Sequence, residues 1–195
     1  MKRTIDLVLG LLGIIILSPV LFIIGALIKT YDGGPIFYTP WRVGLRKNLF
    51  RMYKFRTMVV NADRLGGPTT KTKDPRITPI GHWLRKFKLD ELPQLKNVIA
   101  GEMSLVGPRP EIPSEVETYG PEWDVIFSVR PGITDLASLE FRHEGEIVTR
   151  SGIADPHAAY RLLIKPRKLE LQREYALNHS LWLDIRIIWQ TLKAI

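Results

Sequence analysis

From Ile5 to Ile28 the chain is an almost unbroken apolar run, with Asp6 at its start and Ser18-Pro19 in its middle. As a straight helix at about 1.5 Å per residue it reaches about 36 Å, against a hydrocarbon core of roughly 30 Å. A buried helix of a soluble core is seldom so long or so apolar. Lys2-Arg3 would suit the start of a secretory signal, but the apolar stretch is too long and no small-x-small cleavage site follows. Two membrane readings remain, a spanning helix and a hairpin that enters and leaves by one face. Pro19 cannot donate to the carbonyl of Ile15, so a bend is expected there, with the Ser18 hydroxyl satisfying part of the freed backbone. Lys2 and Arg3 precede the run, and Lys29, Arg42, Arg46 and Lys47 follow it. Both flanks are basic, which favours both ends on the cytoplasmic side. The pattern alone leaves the two readings even.

The remainder suits one domain, residues 31–195, behind a membrane segment, residues 1–30. Of 195 residues 45% are hydrophobic, enough for a core, and there is no cysteine, which excludes disulfides, thiolate metal sites and a cysteine nucleophile. The net charge of +8 favours anionic partners such as nucleic acid, lipid headgroups or phosphorylated substrates.

Expected elements are short. Ile36–Thr39 and Leu49–Met58 read as strands or extended segments, and 61–76 as a polar loop. Thr78 caps a helix with Pro79 at its first position, running to about Phe87. A second helix is expected from about Leu92 to Ile99, with Gly101 past its end. Met103–Pro110 is expected to be irregular, Pro121–Val129 helical and Ile133–Phe141 a strand. From Asp155 helices follow, broken at Lys165-Pro166. Leu181, Trp182, Ile185, Ile188, Trp189 and Leu192 form one stripe on the last helix, which reads first as core and second as a membrane-interface face. The class expected is an α-rich α+β fold.

Asp90-Glu91 stands just before an expected helix start, where the plain reading is capping. Arg85, Lys86 and Lys88 crowd the same segment, and Arg109 follows in a Pro-Arg-Pro frame. Carboxylate, arginine and helix end are the parts that phosphoryl transfer uses. The histidines at 82, 143, 157 and 179 lack metal-ligand spacing, and no GxGxxG or P-loop is present. Arg51, Tyr53, Lys54, Phe55 and Arg56 interleave base and aromatic as a nucleic-acid binder would, but no recognition-helix pattern supports that, and no nucleic-acid partner is expected.

Several longer runs occur in a fixed order: Lys54-Phe55-Arg56-Thr57-Met58, Asp74-Pro75-Arg76-Ile77-Thr78, Leu89 to Leu95, Ser104 to Pro110 and Arg130-Pro131-Gly132-Ile133-Thr134. With these the whole chain resembles the bacterial sugar transferases known as monotopic polyprenyl-phosphate phosphoglycosyl transferases, in their small, stand-alone catalytic form. The resemblance implies a re-entrant helix hairpin broken at Ser18-Pro19, a compact cytosolic catalytic domain and amphipathic interfacial helices. It implies that Asp90 attacks the sugar-bearing phosphate of a UDP-sugar, releases UMP and forms a covalent phosphosugar intermediate, which undecaprenyl phosphate then takes up. Glu91 completes the catalytic dyad, its role less defined. Mg2+ is implied at Asp90. Gly107, Pro108, Arg109 and Pro110 are implied to contact the nucleotide or its phosphates, and Arg85 and Arg142 to lie near the phosphate site. The implied location is the cytoplasmic face of the bacterial inner membrane, at the first membrane step of a glycoconjugate pathway such as exopolysaccharide or lipopolysaccharide synthesis. Where many relatives continue Gly-Trp-Ala-Gln-Val-Asn-Gly-Arg, this chain has Asp135 to Arg142, of which only Ala137 and Arg142 fit. The sugar is therefore not carried over, and the oligomeric state is left open. The competing class is a membrane-anchored binding or scaffold protein whose acids only cap a helix.

Overall fold

A computed structural model describes residues 1–67, 69 and 74–194. The first helix, α1 (Lys2–Asp32), is continuous through Pro19 and ends at Gly33, whose φ of 70° forms a left-handed cap. Proline removes the bond to the carbonyl of Ile15, and the Ser18 hydroxyl donates to that same carbonyl at 2.8 Å. The expected relief of the proline break is thus present, without an interruption of the helix. At about 46 Å, α1 is long and apolar enough to cross a membrane. Its middle is bare: Ile15, Ile16 and Phe22 are 67%, 71% and 79% exposed.

Both ends of α1, by contrast, rest on the rest of the chain. Near its start, Lys2 donates to the Val106 carbonyl and pairs with Asp184, Arg3 donates to the carbonyls of Val98 and Ile99, and buried Asp6 accepts from the Ser104 hydroxyl and the Leu105 amide. Gly10 and Gly13 let the helix lie close on Val98, Ile99 and Leu95. Near its end, Ile24 and Ile28 pack with Phe55 and Leu84.

Strands β1 (Phe37–Tyr38) and β4 (Lys54–Phe55) pair antiparallel, as do β2 (Trp41–Val43) and β3 (Leu49–Arg51). The expected single extended segment over 49–58 is therefore two short strands. Residues 61–76 carry a 3-10 turn at Ala62–Arg64 and, as expected, no longer element among the described residues; Pro68 and Thr70 to Lys73 lie outside them. Helix α2 (Pro79–Lys86) starts as expected, with the Thr78 hydroxyl accepting from the Gly81 amide at 3.0 Å. A 3-10 turn over Leu89–Gln94 leads into α3 (Leu95–Ala100), closed by Gly101. Helix start and dyad thus differ from expectation. Asp90 and Glu91 lie inside a 3-10 turn, and neither caps a helix.

Met103–Pro110 is not wholly irregular. It holds β5 (Ser104–Val106), and after α4 (Pro113–Val116) and a 3-10 turn at Pro121–Ser128 comes β6 (Gly132–Thr134), which pairs with β5 in parallel. A Cβ on Gly107 or on Gly132 would meet the backbone of the other segment, so two glycines allow the approach. The expected strand over 133–141 ends after Thr134, because Asp135 caps α5 (Leu136–Glu140) by accepting from the Ser138 amide at 2.6 Å.

Helices α6 (Glu144–Arg150), α7 (Pro156–Leu163), α8 (Lys165–Asn178) and α9 (Leu181–Ala194) complete the order, with the break at Lys165-Pro166 as expected. The stripe on α9 is core only in part: Ile188 packs against the cluster of Val106, Tyr175 and Ile187. Trp182, Ile185, Trp189 and Leu192 are exposed, while Asp184 and Ile187 face inward. The reason is polar: Asp184 is held by Lys2 and by the Tyr175 hydroxyl at 2.6 Å, which turns the Trp-bearing face outward. The fold is helix-rich with few, short strands, as the α-rich α+β class requires.

Candidate active site

Four segments converge on Asp90-Glu91. Lys88 precedes the pair in the left-handed region, φ 55°, an uncommon conformation for a residue with a Cβ that reverses the chain sharply out of α2. On β4, Lys54 Nζ lies 2.9 Å from Glu91 Oε1. From the Pro-Arg-Pro turn, Arg109 grips the same carboxylate with both arms, one to Oε2 at 3.3 Å and the other in a short bond to Oε1. On α2, Arg85 Nε donates to the Thr57 hydroxyl at 2.9 Å, and its charge acts on Asp90.

The two acids are therefore in opposite conditions. Burial would raise the Glu91 carboxyl, but Arg109 and Lys54 outweigh it and hold it well below the usual carboxylate range. Asp90 is 8% exposed, and no hydrogen bond or ion pair to its carboxylate exists among the described residues. Burial and the neighbouring Glu91 charge push it up, while Lys54, Arg85 and Lys88 oppose that shift. Burial pushes Lys54 down, with Glu91 opposing. Glu91 raises Arg109.

Arg109 sits on a rigid frame. The Gly107 amide donates to the Thr134 carbonyl at 3.1 Å, and the Gly132 amide to the Pro108 carbonyl at 3.0 Å. The Arg109 amide donates to Asp135 Oδ2 at 3.1 Å, and Gln172 Nε2 reaches the Arg109 carbonyl at 3.4 Å. The Gly-Pro-Arg-Pro and Arg-Pro-Gly-Ile-Thr motifs are thus two halves of one construction. A shallow cleft lies beside this turn, bordered by Arg109, Val43, Glu111, Tyr119 and Phe127, but not by Asp90 or Glu91.

The structure brings Arg85, Asp90, Glu91 and the Gly107–Pro110 turn together. Arg142 is exposed, and its Nε bonds to His143 at 3.0 Å; no contact joins it to the dyad among the described residues. Sequence reasoning missed Lys54, Thr57, Asp135 and Gln172 as parts of the site. Lys54 and Thr57 stood in the Lys54–Met58 run, and Asp135 before an apolar helical pattern carried a capping signal. Gln172 carried none.

Similarity then places the chain. The family model of the bacterial sugar transferases matches residues 1–195. The chain belongs to the bacterial sugar transferase family. It is 36% identical to the exopolysaccharide production protein ExoY of Sinorhizobium fredii, over 100% of this chain and 84% of the relative. It is 37% identical to the undecaprenyl-phosphate glucose phosphotransferase of Komagataeibacter xylinus, over 98% of this chain and 35% of the relative. To the undecaprenyl-phosphate galactose phosphotransferase of Salmonella typhimurium it is 35% identical, over 100% of this chain and 40% of the relative. It thus spans most of the first relative and less than half of the other two.

Proposed function

We propose that this sugar transferase moves a phosphosugar from a UDP-sugar to undecaprenyl phosphate through a covalent intermediate on Asp90. The observation that carries the reading is the contrast within the pair: Glu91 is tied to Lys54 and Arg109, while the Asp90 carboxylate is buried, has no hydrogen-bond or ion-pair partner among the described residues, and feels the charges of Lys54, Arg85 and Lys88. An Asp90 Oδ attacks the sugar-bearing phosphorus, the P–O bond of the diphosphate breaks, and UMP leaves with the bonding electrons. An oxygen of undecaprenyl phosphate then attacks the same phosphorus and Asp90 departs, giving undecaprenyl-diphosphate-sugar. Lys54, Arg85 and Arg109 bind phosphoryl oxygens and offset the charge that builds on them. Glu91 holds two of those cations in place.

Magnesium would be held on the protein side by Asp90, with the substrate phosphates supplying the other ligands, the usual mode for Mg2+. When bound, the ion neutralises diphosphate charge. Gly107 to Pro110 would flank the nucleotide phosphates, and Arg142 would reach the donor from the rim.

The membrane part of the proposal is that residues 1–30 enter and leave the inner membrane by its cytoplasmic face, with residues 31–195 as the cytosolic domain. Both ends of α1 are anchored on that domain by buried contacts, which supports one-sided insertion over a span. The exposed Trp182, Ile185 and Trp189 face, beside Arg186 and Lys193, suits an anionic lipid surface.

Detergent-solubilised protein with undecaprenyl phosphate and a panel of UDP-sugars should release UMP, and Asp90→Asn should abolish release. Full turnover by Asp90→Asn would sink the nucleophile. Cysteines appended before Met1 and substituted at Asn48 should both label from the cytoplasmic side; labelling from opposite sides would defeat the topology.

A further inference from the structure

Thr57 is buried, 7% exposed, and follows three residues with visible tasks. Lys54 pairs with Glu91, Phe55 packs against Ile24 and Ile28 of α1, and Arg56 holds Asp32 at the end of α1 with both arms, at 2.5 and 2.7 Å. The Thr57 hydroxyl accepts from Arg85 Nε at 2.9 Å. Its carbonyl accepts from the Thr78 amide at 3.0 Å and from the Thr78 hydroxyl at 3.3 Å. Thr57 is thereby fastened to the start of α2, the helix whose last turn carries Arg85.

Helix geometry explains the contact. Thr78, Gly81 and Arg85 are spaced by three and four residues and share one face of α2. Helical side chains lean toward the N-terminus, so Arg85 reaches back along that face, over Gly81. A Cβ on Gly81 would run into the Thr57 backbone, so glycine there lets residue 57 lie on the helix within reach of Arg85. The Arg85 carbonyl accepts from the Lys88 amide and the Lys88 carbonyl from the Glu91 amide, so two tight turns join Arg85 to the acids, and its charge is felt at Asp90. Glu91 holds Lys54 and Arg109 with a carboxylate that answers their charge, whereas Thr57 fixes a guanidinium with a neutral hydroxyl. We propose that Thr57 is a positioning residue, whose hydroxyl holds Arg85 by Nε so that the guanidinium meets a phosphoryl oxygen at Asp90. This rests on the transferase reading and adds to it the group that aims one of its cations.

The test compares Thr57→Val, which keeps the shape and removes the acceptor, with Thr57→Ser, which keeps the hydroxyl. In the UMP-release assay kcat/KM for the UDP-sugar should fall by about 10- to 100-fold in Thr57→Val, mostly in kcat, and by less than about 3-fold in Thr57→Ser. In an Arg85→Lys background, which lacks Nε–H, Thr57→Val should cost little more. Thr57→Val within about 3-fold of wild type overturns the proposal. So does an equal loss in Thr57→Ser, or the same factor lost in the Arg85→Lys background, since either places the effect outside this hydrogen bond. Should Thr57→Val fail to fold, nitrogen-15 NMR of arginine Nε–H in wild type decides: a slowly exchanging Arg85 signal, assigned by its absence in Arg85→Lys and kept in Thr57→Ser, supports the proposal, and a rapidly exchanging one overturns it. Should wild type release no UMP from any UDP-sugar, the transferase reading falls, and the site is read with inorganic pyrophosphate. Thermal stabilisation of wild type and Thr57→Ser but not of Thr57→Val then supports the positioning role; equal stabilisation of all three, or of none, overturns it.

Discussion

Replacing Glu91 by glutamine isolates the charge arrangement at the site. The side chains of Lys54, Glu91 and Arg109 are 16%, 13% and 29% exposed, so the loss of one anion leaves two cations largely shielded from water. At 2.9 Å and an effective dielectric near 20, the Lys54–Glu91 attraction alone is of order 6 kcal/mol before desolvation is subtracted. Removing one partner of a buried pair costs about 3–5 kcal/mol net, and the residual water contact of Arg109 argues for the lower end, ~3 kcal/mol. For a chain of this size each kcal/mol moves the melting temperature by about 2–4 °C, so Glu91→Gln should melt roughly 6–12 °C below wild type in thermal unfolding in detergent. Adding Lys54→Met removes one stranded cation and should restore part of that loss, a coupling that a double-mutant cycle reads directly. A shift under about 2 °C for Glu91→Gln, or strict additivity with Lys54→Met, would refute the argument that Glu91 is the counter-ion of both.

Three further outcomes follow from other contacts. Glu115 accepts from Arg161 and lies 2.6 Å from Lys165 Nζ; burial opposes its ionisation, yet these partners hold it down at about 2, from an ordinary 4.5. A carboxyl lowered on folding contributes stability above its unfolded pKa and loses it as pH falls, so stability should decline between about pH 4.5 and 2, and Glu115→Gln should flatten that decline in acid titrations followed by circular dichroism. Gly132→Ala places a Cβ against the Gly107 backbone and should cost about 1–3 kcal/mol or more, seen as a lower melting temperature with reduced UMP release. Asp6→Ala strands the Ser104 hydroxyl and the Leu105 amide, at about 1–3 kcal/mol each, and should lower both stability and turnover, because β5 leads directly into the Arg109 turn.

The parts of the site that were legible in the sequence were those with local signatures. Thr78-Pro79 announced α2, Gly101 closed α3, and the order of the motifs marked Asp90, Glu91 and Arg109 together. Boundaries set by a single polar group were misread: Asp135 turned an expected strand into a strand and a helix, and Asp184 turned the α9 tryptophans outward. An apolar stripe has the same period whichever face the fold buries, so only the contacts of Lys2 and Tyr175 with Asp184 decided it.

What the sequence by itself determined was the composition of each layer: an apolar helix at the start, short α-rich elements after it, and a basic segment around two adjacent acids. Local propensity and side-chain chemistry suffice for that. What only tertiary structure decided was the unequal state of the two acids, because it depends on groups far apart in the chain. Lys54 comes from β4 and Arg109 from the turn between two glycine-paired strands, and both converge on Glu91 rather than on Asp90. Spacing along the chain cannot distinguish neighbours in a Asp-Glu pair; the direction from which each cation arrives can.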